Sequence, residues 1–335
     1  MLAICLASVS LRSPQVLRLR DATTKQEIAL VGTVHYNPAS VARAKEEVNL
    51  ALDRYNKKAG ALVVEACTSR WTRSLELAPP GSIPAKFIQS EMQGAAGVAL
   101  QNDVPVLLGD ADAGPFLERV QQLARQSARE LLDPLRGWGN IYCDFARTLP
   151  GTLNPADVAR SELLLEGERP LSLLDFARPE VFVGFLASLI RYPAAFALKA
   201  PVPFALFASG VIALDTTANE LDNLASSAVA SGEIISAPIV GSLAFSAFTL
   251  GLSVLTARLL LVAFLEERNA ELARSIRRAA EEKNAPVVAI LGGLHVNGVA
   301  RLLMSEATPD ADSPRVADGV WWEVPAGLDP TAWVE

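Results

Sequence analysis

The sequence predicts an α/β fold: a mixed, largely parallel sheet flanked by helices, with two Gly-x-x-His strand ends converging and an apolar helical hairpin interrupting the chain. Three observations carry that expectation. Apolar runs at 28–31, 61–64, 104–108 and 287–291 are too short for helices and continuous enough for strands buried on both faces. Segments of helical periodicity separate them. The chain has two histidines, and both occupy the same setting, Gly32-Thr33-Val34-His35 and Gly292-Gly293-Leu294-His295. Each closes an apolar run, and each is followed two residues later by Asn37 or Asn297 and then by Val-Ala-Arg. One device is used twice: strand, glycine, histidine, helix.

Taken in order, residues 1–14 contain Arg12, three serines and no acid, the composition of a targeting remnant. Residues 16–20 alternate like a strand and 21–25 read as a turn, so 15–32 form a hairpin. Asn37 is placed to cap a helix that Pro38 opens, and Val41, Ala44, Val48, Ala51 and Leu52 recur at helical spacing until Gly60. A strand at 61–64 ends in Glu65. A Pro/Gly-rich loop at 79–84 leads to a helix around 87–101, and the strand at 104–108 ends in Gly109-Asp110. Right-handed crossovers then set His35, Glu65 and Asp110 along one edge of a parallel sheet. Ligands bind at that edge in open α/β sheets.

Residues 15–120 and 258–335 read as two parts of one domain, with a motif-free helical insertion at 121–178 and an apolar hairpin at 179–257. Residues 259–283 form a long helix, Pro286 opens the strand leading to His295, and 321–324 form a last edge strand. Within the hairpin, 236–257 holds no charge over about the length of a bilayer core and is rich in Gly, Ala and Ser. A weaker partner at 194–214 is broken by Lys199, Pro201 and Pro203. The stretch 215–235 is acidic without Lys or Arg, while Arg178, Arg191, Lys199, Arg258 and Arg268 lie on the outer flanks. The positive-inside tendency therefore sends 215–235 across a membrane and keeps both soluble halves on one side. An organelle membrane (chloroplast or mitochondrion) or a bacterial inner membrane suits this pattern. A buried hairpin in a large soluble core is the alternative.

A net charge of -7 and the lack of a basic tract interleaved with aromatics exclude a nucleic-acid partner. Three widely spaced cysteines exclude a disulfide framework or a cysteine zinc finger, and Cys67 reads as a packed small residue. Two neutral imidazoles and a carboxylate suffice to hold a divalent metal ion (Mn, Co or Zn) with positions open to water and substrate. His35, His295 and Glu65 are the candidate ligands. Glu65, Glu91 and Asp110 are the candidate catalytic acids near strand ends. Arg70 is placed to hold a substrate carboxylate or to pair with Glu65. Asn37 and Asn297 are further substrate-binding candidates. Gly32 and Gly292, lacking Cβ, would let backbone approach the site. No HExxH pair, nucleophile elbow, phosphate loop or dinucleotide fingerprint is present.

The segment Ile28-Ala29-Leu30-Val31-Gly32-Thr33-Val34-His35, with Ser40-Val41 and Val63-Val64-Glu65-Ala66-Cys67-Thr68-Ser69-Arg70, resembles the opening of the TraB domain (the TraB/PrgY/GumN/Tiki superfamily). The likeness continues through Glu91-Met92 and Val106-Leu107-Leu108-Gly109-Asp110. It resumes at Glu267-Arg268-Asn269 and ends at Ile290-Leu291-Gly292-Gly293-Leu294-His295-Val296-Asn297-Gly298. It covers about residues 15–120 and 258–305. Ala66 departs from the family's more usual Leu, and Ala111 from the Arg that commonly follows the Asp. The resemblance implies an α/β fold with converging Gly-x-x-His elements and kinship with metal-dependent proteases. His35 and His295 would then be the metal-binding histidines and Glu65 the matching acid. Two functions follow as expectations: a membrane-associated metallohydrolase acting on a peptide or protein substrate, or a non-catalytic membrane regulator or organelle-surface adaptor binding a peptide or partner protein in the same cleft.

Overall fold

The computed structural model describes residues 15–55, 59–153, 156–199, 236–306 and 319–334, with scattered positions between 201 and 227. The targeting remnant at 1–14 and most of the acidic stretch at 215–235 lie outside the described residues. The strands are β1 (Val16–Arg20), β2 (Glu27–Thr33), β3 (Ala61–Val64), β4 (Val106–Leu108), β5 (Val287–Gly292) and β6 (Val320–Trp321). They form one sheet in the order β1-β2-β5-β3-β4-β6. The four inner strands run parallel, and β1 and β6 close the edges antiparallel. The α/β class predicted from the apolar runs is the one observed.

The decisive feature is the position of β5. This late strand inserts between β2 and β3, pairing Thr33 with Gly292. Its six residues are all buried, as an inner parallel strand covered on both faces requires. Two helix layers provide the cover. On one face, α1 (Pro38–Arg54) and α4 (Glu91–Gln101) pack Val48, Ala95 and Met92 against Val31, Leu62 and Ile290. On the other, Leu272 and Ile276 of α10 (Arg268–Lys283) and Val299 of α11 (Gly293–Leu303) meet Leu30, Val63 and Leu291. Asn37 caps α1 through Ala39 N–H, with Pro38 as its first residue.

Between β3 and α4 stand α2 (Thr68–Leu77) and α3 (Ile83–Ile88). The single helix expected around 87–101 is split at Gln89-Ser90. Ser90 forms a capping box with Gln93, which starts a new helix at Glu91. Beyond β4 lie α5 (Ala113–Leu131), α6 (Gly137–Leu153) and the short α7 (Ala156–Ala159).

Two apolar helices follow, both long and apolar enough to cross a membrane. The first, α8 (Pro179–Lys199), overlaps the span expected at 194–214 only at 194–199, and most of the rest of that span lies outside the described residues. It is not free along its length: Val181, Gly184, Ser188 and Ala195 are buried. The second, α9 (Ser236–Leu259), runs through a π-helical stretch (Leu260–Glu267) directly into α10. Two arginines read as membrane flanks have other roles. Arg258 is buried and pairs with Glu130 and with Asp144 (2.7 Å). Arg268 enters the cleft described next.

Candidate functional site

His35 closes the β2 edge. Tyr36 follows in the left-handed region (φ 58°), a conformation uncommon for non-glycine residues and supported here by its N–H donating to Glu91 Oε2 at 3.2 Å. The other Glu91 oxygen takes His35 Nδ1 at 2.6 Å. Glu91 is the first residue of α4, where the helix dipole favours a carboxylate. His295 stands in the first turn of α11, and its Nδ1 donates to Asn269 Oδ1 at 2.7 Å. Gly298 makes room for that amide, since a Cβ there would overlap Asn269.

With each Nδ1 held, both Nε2 atoms turn to the same place. His295 Nε2 lies 3.4 Å from Glu65 Oε1. A Cβ on Gly292 would sit 3.3 Å from both His35 Nε2 and Glu65 Oε2, and 3.5 Å from His295 Cδ2. The two histidines and Glu65 therefore surround Gly292 at the carboxyl ends of β2, β5 and β3. Glu65 also accepts the Gly292 N–H at 2.6 Å and Arg268 Nη2 at 2.5 Å. Arg268 bridges onward to Asp110, which pairs with Arg70 as well and accepts Ala111 N–H at 2.8 Å. Arg70 thus pairs with Asp110 rather than Glu65, and its Nε reaches Cys67 Sγ at 3.2 Å.

The two imidazoles differ in charge preference. Burial works against protonated His35, but the charge of Glu91 and its hydrogen bond outweigh burial and raise the pKa to about 9. His295 is pushed down, first by burial and then by Arg268, although Glu65 pulls the other way. Burial alone would raise Glu65; His295, Arg268 and His35 instead hold it down to about 2. Because His295 itself favours the neutral form, we assign most of that effect to the Arg268 guanidinium. Burial also opposes ionised Asp110, yet Arg268 and Arg70 keep it well below the usual carboxylate range.

Three expected site residues have other roles. Asn37 engages its amide with Val181 O and Ala39 N–H. Asn297 engages its amide with both backbone groups of Leu171. Each is a buried structural strap, with its side chain committed to backbone in place of the expected substrate contact. A Cβ on Gly32 would meet Leu171, Phe176 and Val296, so this glycine admits apolar packing and only Gly292 faces the polar cleft. Conversely, sequence reasoning missed Arg268 and Asn269 as site residues, and also Tyr36, Tyr192 and Lys199. Tyr192 of α8 stacks near His35 (ring centroids 6.4 Å apart), and Lys199 Nζ donates to Tyr36 OH at 2.8 Å. The triplet Glu267-Arg268-Asn269 was the available signal, but it sits in a charged helix where polar residues are ordinary.

Each Nδ1 donates to an oxygen acceptor, the arrangement that orients metal-ligating imidazoles. Neutral His295 then presents an Nε2 lone pair to an ionised carboxylate 3.4 Å away, an opposition that a cation relieves. Ligands about 2.1 Å from one tetrahedral ion stand at about that separation. His295 and Glu65 therefore stand at a ligand spacing. His35 turns Nε2 to the same side but would have to give up its proton to join them. Among the described residues, no group of three ligating side chains closes on one point. Comparisons with protein-family models, with curated proteins and with solved structures return no match to this chain.

Proposed function

We propose that the chain is a TraB-like, membrane-associated, metal-dependent hydrolase acting on a peptide or protein substrate. The supporting observation is the meeting of two Nδ1-anchored imidazoles with Glu65 around Gly292. His35, His295 and Glu65 would hold a divalent ion (Mn, Co or Zn). When bound, such an ion supplies Lewis acidity and a water made acidic near neutral pH. The remaining steps belong to the chain. Arg268 keeps Glu65 ionised and fixed, with Asp110 as its counter-charge. Glu91 takes the His35 Nδ1 proton in a hydrogen bond, and Nε2, whose own proton a bound ion would have to displace, faces the cleft. In this reading Glu91 and Asp110 are positioning residues, because each is already bound to a cationic or proton-donating neighbour. Arg70, with about half its side chain exposed (48%), remains the candidate for a substrate carboxylate.

The test is metal content of the purified full chain beside turnover of a peptide library. We expect bound Mn, Co or Zn in the parent and loss of it in both His35→Ala and His295→Ala. Bound metal unchanged in both variants overturns the shared site.

A second reading, a non-catalytic regulator or adaptor binding a peptide or partner protein, is favoured by a separate observation. Glu65, Asp110 and Glu91 are each already ion-paired, and among the described residues no cluster of three ligating side chains closes on one point. A partner captured equally after metal chelation and by His35→Ala would support it. For location, we propose an organelle membrane or a bacterial inner membrane, with 215–235 across the bilayer from both histidines. Protease protection of tags at Asn223 and at the carboxyl terminus decides that topology; digestion of both tags in sealed vesicles overturns it.

A further inference from the structure

The helix that enters the site also fixes where a membrane would lie. Arg268, at the start of α10, touches Glu65 at the carboxyl edge of the sheet. Lys283, at its end, lies beside Gly60, just ahead of β3 at the opposite edge. Followed backwards from Arg268, the same helix continues through the π-helical stretch into α9, beyond the carboxyl edge and on the side of the site. Buried Arg258, paired with α5 and α6, marks the last ion-paired anchoring of this helix to the soluble body among the described residues. It stands roughly 15 Å along the helix from Arg268 at 1.5 Å per residue. Past it, Leu243, Phe248 and Leu250 are exposed apolar residues on a segment without charge.

Helix α8 lies at this same end of the molecule. Its buried face rests on the site walls: Val181 O takes Asn37 Nδ2, Gly184 packs on the Asn37 amide, and Tyr192 stands beside His35. Its opposite face presents Phe182, Val183, Phe185, Leu186, Leu189 and Ile190, all exposed and uninterrupted by charge. An exposed apolar face of this kind, preceded along the chain by exposed Arg178, suits burial in an acyl boundary under anionic headgroups.

We infer that α8 is an interfacial helix and not a span: it lies in the bilayer surface with one face on the site and the other in lipid, so that the cleft opens at the membrane plane. The crossing that pairs with α9 to keep both histidines on one side must then come from the chain between α8 and residue 215. A ligand would then reach His35 and His295 along the bilayer surface past Tyr192 and Lys199, which selects membrane-borne over freely diffusing ligands. The inference rests on α9 entering the bilayer and on no metal or turnover.

The full chain, with Cys5 and Cys143 replaced by Ser, is reconstituted into phosphatidylcholine vesicles containing phosphatidylglycerol. An environment-sensitive fluorophore is placed at Phe185→Cys, Leu189→Cys or Leu250→Cys, and quenching is compared for lipids spin-labelled at the headgroup or at the acyl terminus. Positions 185 and 189 should be quenched best by the headgroup label, and position 250 by the acyl-terminal label. Deepest quenching at 185 and 189 would make α8 a span and overturn the inference. Absence of lipid quenching there, with or without cross-linking between copies, would overturn it too and give the face to solvent or to a second chain. Failure at position 250 alone removes the anchor on which the inference rests, and none of these outcomes bears on the hydrolase reading.

Discussion

His35 and His295 share a four-residue motif, and the fold makes different groups of them. His35 keeps about a third of its side chain open (36%) and meets a carboxylate; His295 is buried (6%) and meets a neutral amide. The first is therefore held protonated and the second neutral. Their glycines diverge in the same way, Gly32 admitting Leu171 and Phe176 and Gly292 admitting the polar cleft. A local motif specifies where the ring stands. The residue that reaches Nδ1 from another helix specifies its charge.

The comparison breaks most severely if its shared cation is removed. Arg268→Met leaves Glu65 and Asp110 buried with one guanidinium fewer, and should cost about 3–5 kcal/mol of stability. Denaturant unfolding of the detergent-solubilised chain measures it; a loss under about 1 kcal/mol would show that Arg268 is not the compensating charge. Next come the glycines. Gly32→Ala should cost about 1–3 kcal/mol by overpacking while leaving both histidine titrations in place. Gly292→Ala should instead perturb those titrations and metal retention, because its Cβ crowds His35 and Glu65. Equal behaviour of the two variants would contradict the division of roles.

Smaller in energy but sharper in contrast is the response to pH. With two histidines in the chain, NMR titration should show His35 near 9 and His295 below 6.5. The linked stabilities have opposite slopes. The His35 contribution is complete below about 6.5 and is lost as pH rises through about 9. His295 destabilises as pH falls below 6.5, and the Glu65 contribution, present above about 4.5, is lost as pH falls toward 2. Exchanging the partners should reduce the asymmetry: Glu91→Gln lowers His35, and Asn269→Asp raises His295. Should Glu91→Gln leave His35 near 9, Glu91 is not the source of its charge.

The sequence by itself determined the strands, the helix that Asn37 caps and Pro38 opens, the paired motifs and the row of strand ends bearing His35, Glu65 and Asp110. Those features are written in periodicity, caps and unbroken apolar runs, which depend on neighbours within a few residues. Tertiary structure decided the rest. It placed β5 between β2 and β3, took Arg268 from an expected membrane flank into the cleft, and turned Asn37 and Asn297 into backbone straps. It also laid α8 against the site walls. Arg268 and Glu65 are 203 residues apart in sequence, and Asn297 and Leu171 are 126 apart. No local pattern encodes such meetings, because they exist only once the sheet order brings both ends of the chain to one edge.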